Sequence, residues 1–264
     1  MEMNATEQGA SRATSPGEPG RVAPNSQQAR STLVFVHGWG GHGRFWQPQA
    51  SHFAGHCDVV MPDLAGHGRA ASQQGPYTLD RFAADLAEMI DQLEAPTCTL
   101  TGHSMGGAIA LEAARKIPER VARVILVDAF VMDWGRLDES LINGFLSAFR
   151  DNFTAAVQGL IEQTCTQGTD PAVIAHAAKV MATLSPEVGL PALESLLRWD
   201  PLPAFKELKM PLDCINSVLV NPEARSRYAP FVTEHAVEGA GHYLQFEDEK
   251  GFNRLLDDIL QSPK

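Results

Sequence analysis

The chain has 264 residues, 44% of them apolar, enough to bury the core of one large α/β domain or two small ones. A formal net charge of −11 without any basic run excludes a surface built for nucleic acid or for an anionic membrane. No stretch approaches the roughly 18 consecutive apolar residues of a membrane span, and the four scattered cysteines, Cys57, Cys98, Cys165 and Cys214, form no C-x-x-C pair, so neither a disulfide framework nor a zinc site is expected.

Residues 1–30 are rich in Pro, Gly, Ser, Gln and Ala and hold no apolar run of the length a secretory signal requires; they read as a flexible tail on a cytoplasmic protein. Thr32 to His37 is a continuous apolar run closed by Gly38, the pattern of a buried parallel strand, and Gly38-Trp39-Gly40-Gly41 makes the turn behind it. Cys57 to Met61 is a second strand. In the loop that follows, Asp63 and His67 have the residue types of catalytic groups, but an aspartate among glycines in so short a loop is read as fixing the turn. Thr78 is an N-cap for a helix with Leu79, Phe82, Ala83, Leu86, Ile90 and Leu93 at helical spacing.

Thr97 to Leu111 reads as strand, one-residue corner and helix in immediate succession, with Ser104 on the corner and the helix running from Met105 to about Lys116. Gly102-His103-Ser104-Met105-Gly106 fits G-x-S-x-G. A serine forced into so tight a turn has its hydroxyl pushed out above the sheet, and the glycines two before and two after let strand and helix approach. The Met105 amide then stands at the positive end of the helix dipole, where developing negative charge is favoured. His103 is expected to point into the supporting structure.

Beyond this, Val124 to Val127 is a further buried strand with Asp128 at its carboxyl end, on the rim where open α/β sheets place their sites. The stretch 129–209 reads as helical: Leu141, Phe145, Phe149 and Phe153 recur every fourth position, and Val157, Leu160 and Ile161 continue the stripe. Leu212 to Val218 and Thr233 to Val237 are the last strands. The second leads to Gly239-Ala240-Gly241-His242, and an amphipathic helix through Phe252, Leu255, Leu256, Ile259 and Leu260 ends the chain.

On these residues the chain resembles the α/β-hydrolase superfamily from about Leu33 to Leu260. The resemblance implies an α/β fold, a mostly parallel central sheet flanked by helices, with a helical cap inserted after the strand ending at Asp128. It divides the sequence into the tail 1–30, a core of 31–128 and 210–264, and a cap of 129–209. It further implies Ser104 as nucleophile, His242 as base, and the backbone amides of Trp39 and Met105 as an oxyanion hole. The third member is less plain. Related enzymes most often carry an aspartate after the strand at Leu212, where this chain offers Val218, Val220 or Asn221, with Glu223 close by; others place it where Asp128 stands. Asp128 is preferred to Asn221 and Glu223, with Asp133 a weaker substitute. The family's usual opening hairpin has no good counterpart, because Arg21 to Arg30 is too polar for two strands.

The implied activity is hydrolysis of a carboxylic ester or lactone of a small to medium, partly apolar substrate through an acyl-enzyme, without metal or organic cofactor. C–C bond hydrolysis and cofactor-free perhydrolysis use the same three residues and stay open, as does a ligand-binding signalling protein of little turnover. Trp39, Phe130, Trp134 and Phe145 are the expected walls of the substrate pocket. The expected partner is a small molecule, and the expected assembly a monomer or homodimer.

Overall fold

A computed structural model describes residues 20–22 and 31–262. Its sheet has seven strands: β1 (Gly20–Val22), β2 (Thr32–Val36), β3 (Asp58–Met61), β4 (Cys98–His103), β5 (Val121–Val127), β6 (Leu212–Asn216) and β7 (Thr233–Ala236). They lie in the order β1-β3-β2-β4-β5-β6-β7, with β2 to β7 parallel and β1 antiparallel to β3. Within the tail expected over 1–30, Gly20–Val22 is therefore a strand, paired as Gly20 to Met61 and Val22 to Val59. Backbone bonds to β3 hold it at the sheet edge, and Arg21 and Val22 reach into the stretch expected to be too polar for two strands. The rest of that tail lies outside the described residues.

Among the described residues, six helices occupy the connections and the end of the core: α1 (Gln47–Phe53), α2 (Leu79–Asp91), α3 (Met105–Lys116), then, after β6, α9 (Pro222–Tyr228) and, after β7, α10 (Leu244–Glu247) and α11 (Glu249–Gln261). Between β5 and β6 run α4 (Glu139–Asp151), α5 (Phe153–Gln163), α6 (Pro171–Met181), α7 (Pro186–Leu197) and α8 (Leu202–Glu207). The alternation of β2 decides what each sheet face buries. Val34 and Val36 join α2, α3 and the inserted helices in one core, while Leu33 and Phe35 meet Trp46 and Phe53 near α1, and Phe252, Leu256 and Ile259 of α11, in the other. α3 is buried nearly all round, and its run of small residues, Gly106, Gly107, Ala108 and Ala110, brings it close to the sheet. Among the described residues no helix is long and apolar enough to cross a membrane.

Candidate active site

The carboxyl ends of β4 and β5 set the frame. β4 stays in register with β5 to the pair His103 and Val127, and the Ser104 amide then donates to the Val127 carbonyl at 2.9 Å. Ser104 itself turns the chain with φ 54° and ψ −121°, a conformation that a side chain adopts only under constraint from its surroundings. Gly102 and Gly106 supply that constraint. A Cβ on Gly102 would run into the Gly106 carbonyl oxygen, and one on Gly106 into the carbonyl of Val36. The corner is thus held between two strands and a helix, and Met105 opens α3 with an amide that has no intrahelical acceptor.

Asp128 follows β5 in a second left-handed turn, φ 47°, and is fully buried. Its amide donates to the Ile215 carbonyl at 2.8 Å, which fixes it against the end of β6. One carboxylate oxygen accepts the Ser217 amide at 2.8 Å; the other accepts Nδ1 of His242 at 2.7 Å. The carboxylate demands a proton on Nδ1, so Nε2 of His242 is the nitrogen able to receive one. Backbone atoms hold the histidine as well: its amide donates to the Thr164 carbonyl at 2.9 Å, and its own carbonyl accepts Nε2–H of His103 at 2.8 Å. His103 is buried beside it, ring centroids 4.6 Å apart, and burial holds its pKa well below the ordinary histidine value. It supports the His242 loop through its bond to that carbonyl, and it also borders the space beside Ser104, a place not expected from its sequence position.

The other candidates lie elsewhere. Asn221 caps α9, its side-chain oxygen accepting the Ala224 amide at 2.9 Å, and Glu223 is exposed in the first turn of that helix, where its charge suits the dipole. Asp133 pairs with Arg227. Asp63 ties Gly43 to Arg69, and Nδ1 of His67 donates to the Ala65 carbonyl at 3.0 Å, so both fix the loop after β3.

The loop after β2 reaches the same place. His37 is fully buried, with Nδ1–H on the Gly38 carbonyl at 2.8 Å and Nε2 accepting the Leu64 amide at 3.0 Å; burial pushes its pKa down to about 3. Gly38 lies so near the corner that a Cβ there would stand 3.3 Å from Cβ of Ser104. Trp39 comes next, its indole donating to the Gly189 carbonyl of α7 at 2.8 Å and resting edge-on against Phe149 of α4.

Ser104 and His242 line one cavity of ≈ 80 Å³, together with His103, Gly38 and Trp39 and with residues of α4, α5, α6 and α7. That is a small space, given that holding even one water takes about 10–15 Å³. Trp39, Trp134 and Phe145 line it, as their sequence positions suggest. Phe130 does not. Its ring packs on Tyr228 at 4.8 Å and on Phe205 at 5.8 Å, in the core with α8 and α9, where the Phe130 carbonyl accepts the Asn221 amide at 2.9 Å. Val131, Met132, Leu160, Met181, Leu196 and Tyr243 are among the other lining residues, and none of them was expected there from sequence. Tyr243, the neighbour of His242, was the easiest of these to find. Among the described residues no Lys or Arg lines the cavity, and no group of three His, Cys, Asp or Glu is placed to hold a metal ion.

Residues 33–255 match the family model for the alpha/beta hydrolase family. The chain is 25% identical over 250 residues to 3-oxoadipate enol-lactonase 2 of Acinetobacter baylyi, spanning 89% of this chain and 90% of the relative. It is 26% identical over 278 aligned positions to 2-hydroxy-6-oxo-2,4-heptadienoate hydrolase of Pseudomonas putida, covering 88% and 90%. A solved structure of a hydrolase from Oleispira antarctica superposes with a TM-score of 0.81 at 16% identity, covering 94% of this chain and 96% of that one.

Proposed function

Since the chain belongs to the alpha/beta hydrolase family, we propose that it is a serine hydrolase that cleaves a small, uncharged carboxylic ester or lactone through an acyl-enzyme. The observation that carries this reading is the 2.7 Å bond from the buried Asp128 carboxylate to Nδ1 of His242, an imidazole lining the same cavity as the strained Ser104. In the proposed reaction Nε2 of His242 takes the hydroxyl proton as Ser104 Oγ attacks the carbonyl carbon. Asp128 holds the tautomer and stabilises the imidazolium. The amides of Trp39 and Met105 receive the oxyanion; one such donor typically contributes ~3 kcal/mol to the transition state. The imidazolium then protonates the leaving oxygen, and water, activated by the same histidine, releases the acid and restores Ser104. Besides substrate and water, the proposed reaction uses only groups of this chain.

The apolar walls and the lack of a cation among them support an uncharged acyl group of a few heavy atoms. The Acinetobacter relative supports lactones within that class, and the Pseudomonas relative supports C–C bond hydrolysis on the same three residues as the second reading. The test is intact-mass measurement after treatment with a fluorophosphonate, followed by a panel of p-nitrophenyl esters, lactones and a vinylogous 1,5-diketone. One adduct, mapped to Ser104 and absent from Ser104→Ala, is expected, with ester or lactone turnover above diketone cleavage. A folded protein that takes up no adduct would be a binding protein instead.

A further inference from the structure

Met181, the last residue of α6, belongs to two spaces at once. On one side it lines the cavity above Ser104; on the other it lines a groove of ≈ 390 Å³ between α5 and α6. The groove has an apolar floor of Val157, Ile161, Met181 and Leu184, all buried, and an exposed polar rim of Thr154, Gln158 and Glu162. The wall between the two spaces is a single side chain at Met181, which lines both. Beside Met181 it consists of the Trp39 and Phe153 rings, 6.0 Å apart, of which the first faces the cavity and the second the groove. Met181 also rests on the turn of the loop after β2, where a Cβ on Gly40 would lie 3.2 Å from its Cγ, and its sulfur accepts the Tyr243 hydroxyl at 3.6 Å.

We propose that this groove binds the alkyl tail of the substrate's acyl group, and that Met181 is the door through which the tail leaves the cavity. The inference rests on the serine-hydrolase reading. A cavity of ≈ 80 Å³ has room for a short acyl group, and the groove beyond Met181 is nearly five times larger, separated from it at that point by a thioether with three rotatable bonds. The occupant is an uncharged hydrocarbon chain. Neither space is lined by Lys or Arg among the described residues, and Glu162 on the rim repels a terminal carboxylate.

The experiment is kcat/KM for p-nitrophenyl acetate, butyrate, hexanoate and octanoate in the full chain, read as the ratio of octanoate to acetate within each variant. Burying a methylene is worth about fourfold in such a ratio. Ala178→Phe fills the groove without facing the cavity, and should lower the ratio at least tenfold. Ile174→Glu, which puts a charge on the groove wall, should do the same if the larger side chain at 178 unfolds the helix. Met181→Ala removes the door and should raise the ratio. Turnover of acetate with a ratio that neither groove variant changes overturns the tail site and leaves the hydrolase reading standing. No turnover of any ester and no fluorophosphonate adduct overturns both.

Discussion

Asp128→Asn tests the site where it is most specific. The carboxylate accepts two donors, the Ser217 amide at 2.8 Å and His242 Nδ1–H at 2.7 Å, and an amide side chain has only one oxygen to offer. If that oxygen faced His242, the new NH2 would confront the Ser217 N–H, donor against donor in a fully buried place, at a cost of about 1–3 kcal/mol. The asparagine should therefore turn its oxygen to Ser217 and its NH2 to Nδ1. That arrangement satisfies every atom, and it moves the imidazole proton to Nε2, where it prevents acceptance of the Ser104 proton. A histidine held in the wrong tautomer lowers turnover about 10⁴-fold, equivalent to roughly 5 kcal/mol at about 1.4 kcal/mol per decade. The assay is kcat for a short ester across pH, with circular dichroism to establish folding and Asn221→Ala in parallel. Asn221 caps α9, so its loss should cost about 1 kcal/mol of stability and change kcat by less than twofold. If Asp128→Asn stays within tenfold of the parent, or if Asn221→Ala loses more, the assignment of the acid is wrong.

Phe130→Ala should destabilise the fold by about 3–5 kcal/mol, the usual cost of removing a buried phenylalanine, with no change in acyl preference, because its ring packs on Tyr228 and Phe205. Phe145→Ala, half-buried on the cavity wall, should do the reverse, altering KM and acyl preference with a small loss of melting temperature; equal shifts in preference would refute the distinction. Stability should also fall with acid before the carboxylates titrate. Burial lowers the pKa of His37 from 6.5 to about 3, so the unfolded chain binds this proton first as pH drops. The contribution is complete above pH 6.5 and is lost on the way down towards 3, at up to ~1.4 kcal/mol per pH unit. His103, lowered by burial too, acts in the same direction. Urea midpoints that do not move between pH 7 and pH 5 would refute this account.

What the sequence disclosed followed from how locally each feature is determined. The corner at Ser104 needs only its own strand, helix and flanking glycines, all contiguous in sequence, and its helix, expected from Met105 to about Lys116, runs over Met105–Lys116. His242 depends on one further fact, that its loop follows the last parallel strand. Gly20–Val22 escaped because an edge strand can be held by backbone bonds alone, to which hydropathy is blind. The inserted helices escaped in part for a different reason. A stripe of apolar residues says that a face is buried and leaves open against what: in α4, Phe149 packs on Trp39 while Phe145 reaches the cavity, and both belong to the same four-residue rhythm.

The position of the acid shows why topology can answer a question that motif spacing leaves open. β5 and β6 are adjacent and parallel, so the residue after Val127 and the residues after Asn216 emerge side by side on one rim. A carboxylate on either could meet an imidazole coming from beyond β7, and the sequence beyond β6 contains none in place. Here the two strand ends divide the work: Asp128 supplies the carboxylate, and the chain after β6 supplies the Ser217 amide that orients it. A carboxylate moved to the end of β6 would have to make its bond to His242 from the position where that amide now donates, and Asp128 would then be a second buried anion beside it. Two carboxylates cannot both stay ionised at that distance. Grafting an acid there should therefore rescue Asp128→Asn and not improve the parent, because in the parent the place it would act from is already taken.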